Sequence, residues 1–319
     1  MELNSGTVAN TRTRTQPQLA RAMGTVNGIL LGKERAVRLC FACILARGHL
    51  LIEDVPGVGK TTLAQTLAHA LGLEYRRVQF TSDLLPADIL GASIWHRDSG
   101  EFRFQPGPIF SQLILADEVN RATPKTQSAL LEAMEEHQVT IDGATRHLPE
   151  PFFVIATQNP HYQIGTFPLP ESQLDRFLMR IELGYPDASA ERELLEGRSR
   201  REMLAELAPA MSARELVAVQ QRVDQVFTSV ALLDYIQAIV RYTRESPDFV
   251  SGLSPRAALA LKRAAQAWAL LDNRDAVIPE DVQAVLEGVI SHRLQPRRAE
   301  PGATEEGVAQ RVIEAVPVP

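Results

Sequence analysis

Residues 49–71, HLLIEDVPGVGKTTLAQTLAHAL, restrict the possible fold more than any other stretch. A short apolar run, HLLIED (49–54), passes through PGVG into a helical segment that stops near Gly72. Buried strand, glycine loop and helix in that order predict a βα unit whose loop amides and helix N-terminus face an anion. Gly57 and Gly59 allow close backbone approach to phosphates. Lys60 would reach the β- and γ-phosphates, and the Thr61 hydroxyl would bind Mg²⁺. Asp54, Val55, Pro56, Gly57, Val58, Gly59, Lys60, Thr61 and Thr62 are therefore candidate nucleotide contacts. Asp54 stands where such loops usually carry their first glycine. A carboxylate aimed at phosphates would repel them, so Asp54 is expected to turn away and bond nearby amides.

A nucleotidase needs a second half that holds the metal and activates water. LILADE (113–118) is an apolar strand ending in two acids. Asp117 suits the metal's water shell, and Glu118 is the candidate to polarise the attacking water. Asn159, at the end of the apolar run PFFVIATQNP (151–160), would orient that water. The chain lacks an Asn-Lys-x-Asp guanine signature, which favours ATP.

Further strand signals are EYRRVQF (74–80) and FLMRIEL (177–183). Strands alternating with helices predict an α/β fold with a five-stranded parallel sheet covered on both faces. Two hairpins interrupt it, at 92–106 and 137–149, the second around an Asp142-Gly143 turn. Beyond residue 186 the periodicity is helical, with a capping box at Ser212 and Glu215 and helix starts at Pro255 and Pro279. The expected organisation is a flexible tail (1–18), an αβα core (19–186), a helical lid (187–294) and a flexible tail (295–319).

The net charge of -6, from 33 basic and 39 acidic residues, argues against a general nucleic-acid binder. No apolar run approaches a membrane span, and the polar N-terminus lacks a signal-peptide core, so a cytoplasmic protein is expected. Cys40 and Cys43 sit inside an apolar helical stretch without a second cysteine pair. They read as buried structural thiols rather than as a zinc or redox site.

VNGILLGKE, EDVPGVGKTT, VQFTSDLLPADILG, LADEVNRATPKTQSALLEAMEE, FFVIATQNP, LPESQLDRF and LSPRAALAL occur in that order. Together they resemble the MoxR family of AAA+ ATPases from about residue 20 to 292. The resemblance implies an AAA+ core with a helical lid, ATP and Mg²⁺ as ligands, and a homo-oligomeric ring, commonly a hexamer. It implies Walker B roles for Asp117 and Glu118, sensor 1 for Asn159, the arginine finger for Arg176 and sensor 2 for Arg256. Arg180 is the fallback finger. Leu31 and Gly32, with Ile29 and Leu30, resemble the segment lining the adenine pocket. Chaperone-like work on protein clients is implied, von Willebrand factor A proteins among them, together with metal-cofactor insertion. The alternatives are the motor subunit of a metal chelatase and a nucleic-acid translocase. Two residue-level alternatives stand beside these roles: Arg256 as a surface ion pair, and Arg176 paired with Asp175.

Overall fold

A computed structural model describes residues 5–159, 166–297 and 306–318. Two helices, α1 (Ser5–Ile29) and α2 (Glu34–Leu45), precede strand β1 (Leu50–Glu53) and α3 (Lys60–Ala70). Next come β2 (Tyr75–Gln79) and a short α4 (Pro86–Leu90). The first hairpin follows, β3 (Gly91–His96) and β4 (Glu101–Pro106), and then β5 (Leu113–Asp117) and α5 (Pro124–Glu136). The second hairpin, β6 (Gln138–Ile141) and β7 (Ala144–His147), leads to β8 (Phe153–Gln158), α6 (Glu171–Leu174) and β9 (Met179–Ile181). The rest is helical: α7 (Ala188–Glu196), α8 (Arg200–Glu206), α9 (Ala213–Val223), α10 (Val230–Glu245), α11 (Pro255–Leu271), α12 (Pro279–Ile290) and α13 (Glu306–Ala315).

The five long-range strands form one parallel sheet in the order β2-β5-β8-β1-β9. Strand alternation divides its side chains between two cores. Leu50, Ile52, Leu113, Leu115 and Ile155 pack with α1–α3 and the C-terminal helices. Leu51, Ile114, Ala116, Val154 and Ala156 pack with Leu130, Leu131 and Met134 of α5. The first face continues without a break into the lid, where Leu216, Ile239, Leu261 and Val285 belong to the same cluster.

Both expected tails differ from the structure. The helix α1 begins at Ser5 rather than near residue 19 and contains Pro17. Leu19, Ala22, Val26 and Ile29, spaced by three or four, bury one face and anchor it, and the polar residues upstream continue the same helix. At the other end, α13 buries Val308, Ala309 and Val312 in the main core, against α10 and α12, and Val316 just after it joins the same cluster. Its apolar stripe is short and follows a Pro- and Arg-rich stretch, which hides it from a composition reading. The break between α1 and α2 falls at Gly32, whose φ of +67° suits glycine.

Cys40 and Cys43 are free and fully buried in α2, and burial pushes both thiols well up from their ordinary range. They are inert core residues.

Candidate functional site

The phosphate loop leaves β1 at its C-terminal end and feeds α3. Gly57 and Gly59 have φ of +91° and +101°, and a Cβ at either would meet open space. Glycine is thus required there by backbone conformation, not crowding, and the space beside the loop is free for a ligand. A groove of about 330 Å³ opens there. It is lined by Pro56, Gly57, Gly59, Lys60, Thr61, Thr62, Asp117, Glu118 and Asn159. Those residues come from the C-terminal ends of β1, β5 and β8, the edge where ligands bind in open α/β sheets.

Lys60 is buried and donates from Nζ to the carbonyls of Asp54 (2.6 Å) and Val55 (3.0 Å). Burial lowers its pKa, opposed by the nearby charges of Asp54, Asp117 and Glu118. The Asp54 carboxylate faces the other way. Oδ1 accepts from the amide of Val55, and Oδ2 accepts from Leu183 and Gly184, all at 2.7 Å. It therefore ties the loop to the segment leaving β9.

The acids form a connected network. Thr157 donates to Asp117 Oδ1 at 2.6 Å and accepts from the Glu118 amide at 2.9 Å. Arg77 reaches Asp117 Oδ2 through two nitrogens, at 2.6 and 3.1 Å. Glu118 has left-handed φ and ψ of 58° and 49°. It accepts from Asn159 at 2.8 Å on Oε1 and from Gln79 at 2.8 Å on Oε2, and it pairs with Arg121 at 3.1 Å. Arg77, Gln79 and Thr157 were not singled out in the sequence. The available signal was alternation in EYRRVQF: Arg77 and Gln79 fall on one face of the strand, and Gln79 lies in register with Asp117.

The two arginines of the resemblance lie elsewhere. Arg176 sits in the turn before β9, at the N-terminal edge of a sheet whose C-terminal edge holds the groove. It pairs with Glu135 rather than with Asp175. Asp175 is taken by Arg293 at 2.6 Å and by the Ser254 hydroxyl at 3.1 Å. Arg256, in the first turn of α11, pairs with the same Glu135, so the surface ion pair is what the chain forms. The end of α5 is at that edge because its C-cap, His137, packs on Phe152 and His49, which precede β8 and β1. A strand of five residues spans about 15 Å. Neither arginine is brought to the groove of its own chain. Arg180 is buried in β9, paired with Glu53 and Glu182.

Leu31 and Gly32 are also absent from the groove lining. Gly32 lines a larger cavity of about 580 Å³ between α2, β9 and α12, with Lys33, Leu39, Ile181, Leu183 and Ser291. The two cavities share no lining residue, but Asp54 bonds Leu183, which lines the larger one.

Residues 49–179 match the model of the ATPase family associated with various cellular activities (AAA), and residues 241–314 match the AAA lid domain. The lid match extends over most of α13. The Bacillus subtilis protein YeaC is 45% identical, over 95% of each chain. The Mycobacterium tuberculosis protein named Chaperone MoxR1 is 41% identical, over 86% of this chain and 75% of that one. The chain belongs to the MoxR family of AAA+ ATPases. A crystal structure of a candidate ATPase from Cytophaga hutchinsonii superposes on this MoxR-family chain with a TM-score of 0.89 and 36% identity, covering 98% of both. MoxR membership brings nucleotide binding with it, and the loop, the two acids and Asn159 meet at one groove suited to that ligand. No helix among the described residues is long and apolar enough to cross a membrane.

Proposed function

We propose that this chain binds ATP with Mg²⁺ in the phosphate-loop groove and hydrolyses it within a homo-oligomeric ring, a hexamer as the family resemblance implies. The observation that carries the reading is the convergence of Lys60, Thr61, Asp117, Glu118 and Asn159 on one groove at the C-terminal edge of the sheet.

The loop amides and Lys60 hold the phosphates, and Lys60 exchanges its two carbonyl partners for phosphate oxygens. Thr61 and Asp117 would hold Mg²⁺, with Asp117 itself kept in place by Thr157 and Arg77. Bound there, Mg²⁺ would neutralise phosphate charge. Glu118, steadied by Asn159 and Gln79, takes the proton of the attacking water. The water oxygen bonds to the γ-phosphorus, the bond to the β–γ bridging oxygen breaks, and ADP and phosphate leave. The family resemblance of Leu31 and Gly32 supports an adenine on the Gly32 side, where the larger cavity opens.

Arg176 and Arg256 act on the nucleotide of the neighbouring subunit. Their position, about a strand length from their own phosphate loop, supports this division of the site. The work driven is chaperone-like remodelling of protein clients, with von Willebrand factor A proteins and metal-cofactor insertion as the first candidates to test, in the cytoplasm. Trp95 and Phe102 at the first hairpin support a contact with clients: both are exposed and stack edge-to-face at 5.1 Å.

The test is phosphate release by the purified chain, with and without a Mg²⁺ chelator, beside Lys60→Ala. Release that needs Mg²⁺ and disappears in Lys60→Ala supports the reading. Release indifferent to Lys60 contradicts it.

A further inference from the structure

Glu135 receives both arginines. An Arg176 terminal nitrogen lies 3.0 Å from Oε2, and an Arg256 terminal nitrogen pairs with Oε1. The three residues come from the end of α5, the turn between α6 and β9, and the start of α11. The junction beneath them is fixed: the Arg293 side chain is 5% exposed and clasps Asp175 and the carbonyls of Phe177 and Leu178, while Ser254 ties Asp175 to α11. Arg176 and Arg256 themselves keep side-chain exposures of 28% and 48%.

We propose that Glu135 is a positioning residue, holding Arg176 and Arg256 side by side as one double cation for the γ-phosphoryl group of the adjacent subunit. The proposal rests on the cross-subunit reading above. Two guanidinium groups repel, and long side chains on separate elements sample many rotamers. One carboxylate oxygen for each removes both problems. The trio keeps a net positive charge, because two cations share a single anion. Each arginine commits one terminal nitrogen to Glu135, and the remaining guanidinium nitrogens of both have no other partner among the described residues. Those donors are free for phosphate oxygens. An arrangement fixed in advance serves the transition state, since the ordering cost is met during folding rather than at the reaction.

Glu135→Gln keeps the shape and removes the charge. Steady-state ATPase is measured on the full chain for Glu135→Gln, Glu135→Asp, Arg176→Ala, Arg256→Ala and the triple Glu135→Gln/Arg176→Ala/Arg256→Ala, with assembly followed by sedimentation. Glu135→Gln should lower kcat about tenfold with KM for ATP within about twofold and assembly intact, as expected when orientation alone is lost. Glu135→Asp should recover part of the loss. In the background lacking both arginines, Glu135→Gln should change nothing further. Normal kcat in Glu135→Gln beside a crippled Arg176→Ala overturns the proposal and leaves the cross-subunit reading standing. A raised kcat overturns it too, because Glu135 would then be a brake, and so does a loss explained by failed assembly. Wild-type kcat in Arg176→Ala overturns both readings together.

Discussion

The side-chain amide of Asn159 donates to Glu118 Oε1 at 2.8 Å, joining the tips of two buried strands that are not consecutive in the chain. The other oxygen is held by Gln79 from β2, so Glu118 is oriented from both sides. Glu118→Gln should retain ATP binding and slow hydrolysis about 10²–10⁴-fold, the usual contribution of a general base. Fluorescent-nucleotide titration and single-turnover hydrolysis separate the two effects. Lys60→Ala should instead lose tight binding, and an equal loss of binding in both variants would contradict the assignment.

Asp54 predicts a different pairing of effects. Its carboxylate accepts three backbone amides and faces away from the groove. Asp54→Ala leaves those donors without it and should lower stability by about 2 kcal/mol, within the range for hydrogen bonds to a charged group. ATP affinity should stay within a few-fold. Chemical denaturation and nucleotide titration on one preparation give both numbers. A large gain in affinity would mean that the carboxylate opposes phosphate after all.

The limits of the sequence are physical ones. The strand ends carrying Asp117, Glu118 and Asn159 are legible because their strands are continuous apolar runs, and buried parallel strands have no other pattern. The hairpins are legible from their turns. Asp54 is legible in direction because charge repulsion decides it. The ends of the chain are not, since the helical stretch before Leu19 and α13 depend on anchoring by other elements rather than on local composition. The Glu135 cluster is not legible either: Arg256 and Glu135 lie 121 positions apart. Arg77 could pair with Asp117 only once strand order was known, because β2 and β5 are adjacent in the sheet but not in the chain.

His49 makes the fold sensitive to acid. Buried before β1, its Nδ1 accepts from the Val154 amide at 3.0 Å and its Nε2 donates to the Met134 carbonyl at 3.1 Å. Burial lowers its pKa to about 4, with His137 nearby adding in the same direction. Between that value and the ordinary one near 6.5, the unfolded chain binds a proton that the folded chain refuses. Stability should therefore fall as pH drops through that window, by about 3 kcal/mol once it is crossed. Urea denaturation at pH 7 and pH 4 measures the drop. His49→Gln keeps a donor and an acceptor but cannot titrate, and should show a smaller drop; buried His292, shifted the same way, leaves a remainder. An unchanged drop in His49→Gln would contradict the assignment.

Trp95 and Phe102 touch each other at the exposed first hairpin, while Phe104 packs on Phe110 and beneath Arg146. The double variant Trp95→Ala/Phe102→Ala should change stability by less than about 0.5 kcal/mol each, as surface changes do. Basal ATPase should persist, and stimulation by a denatured protein such as casein should be lost. Loss of folding would show that the pair is structural instead.

Arg176 decides whether the site is shared between subunits. It lies at the edge of the sheet opposite its own phosphate loop, about a strand length away, so on the proposed reading it meets a nucleotide only across an interface. The direct measurement is ATPase activity of Arg176→Ala and Lys60→Ala, each alone and then mixed in equal amounts. Each alone should be nearly inactive, by roughly 10³-fold where an arginine finger is removed. The mixture should recover activity, because an intact Arg176 on one chain then faces an intact Lys60 on the next, and wild-type specific activity should rise with protein concentration. No recovery on mixing, with specific activity independent of concentration, would contradict the shared site.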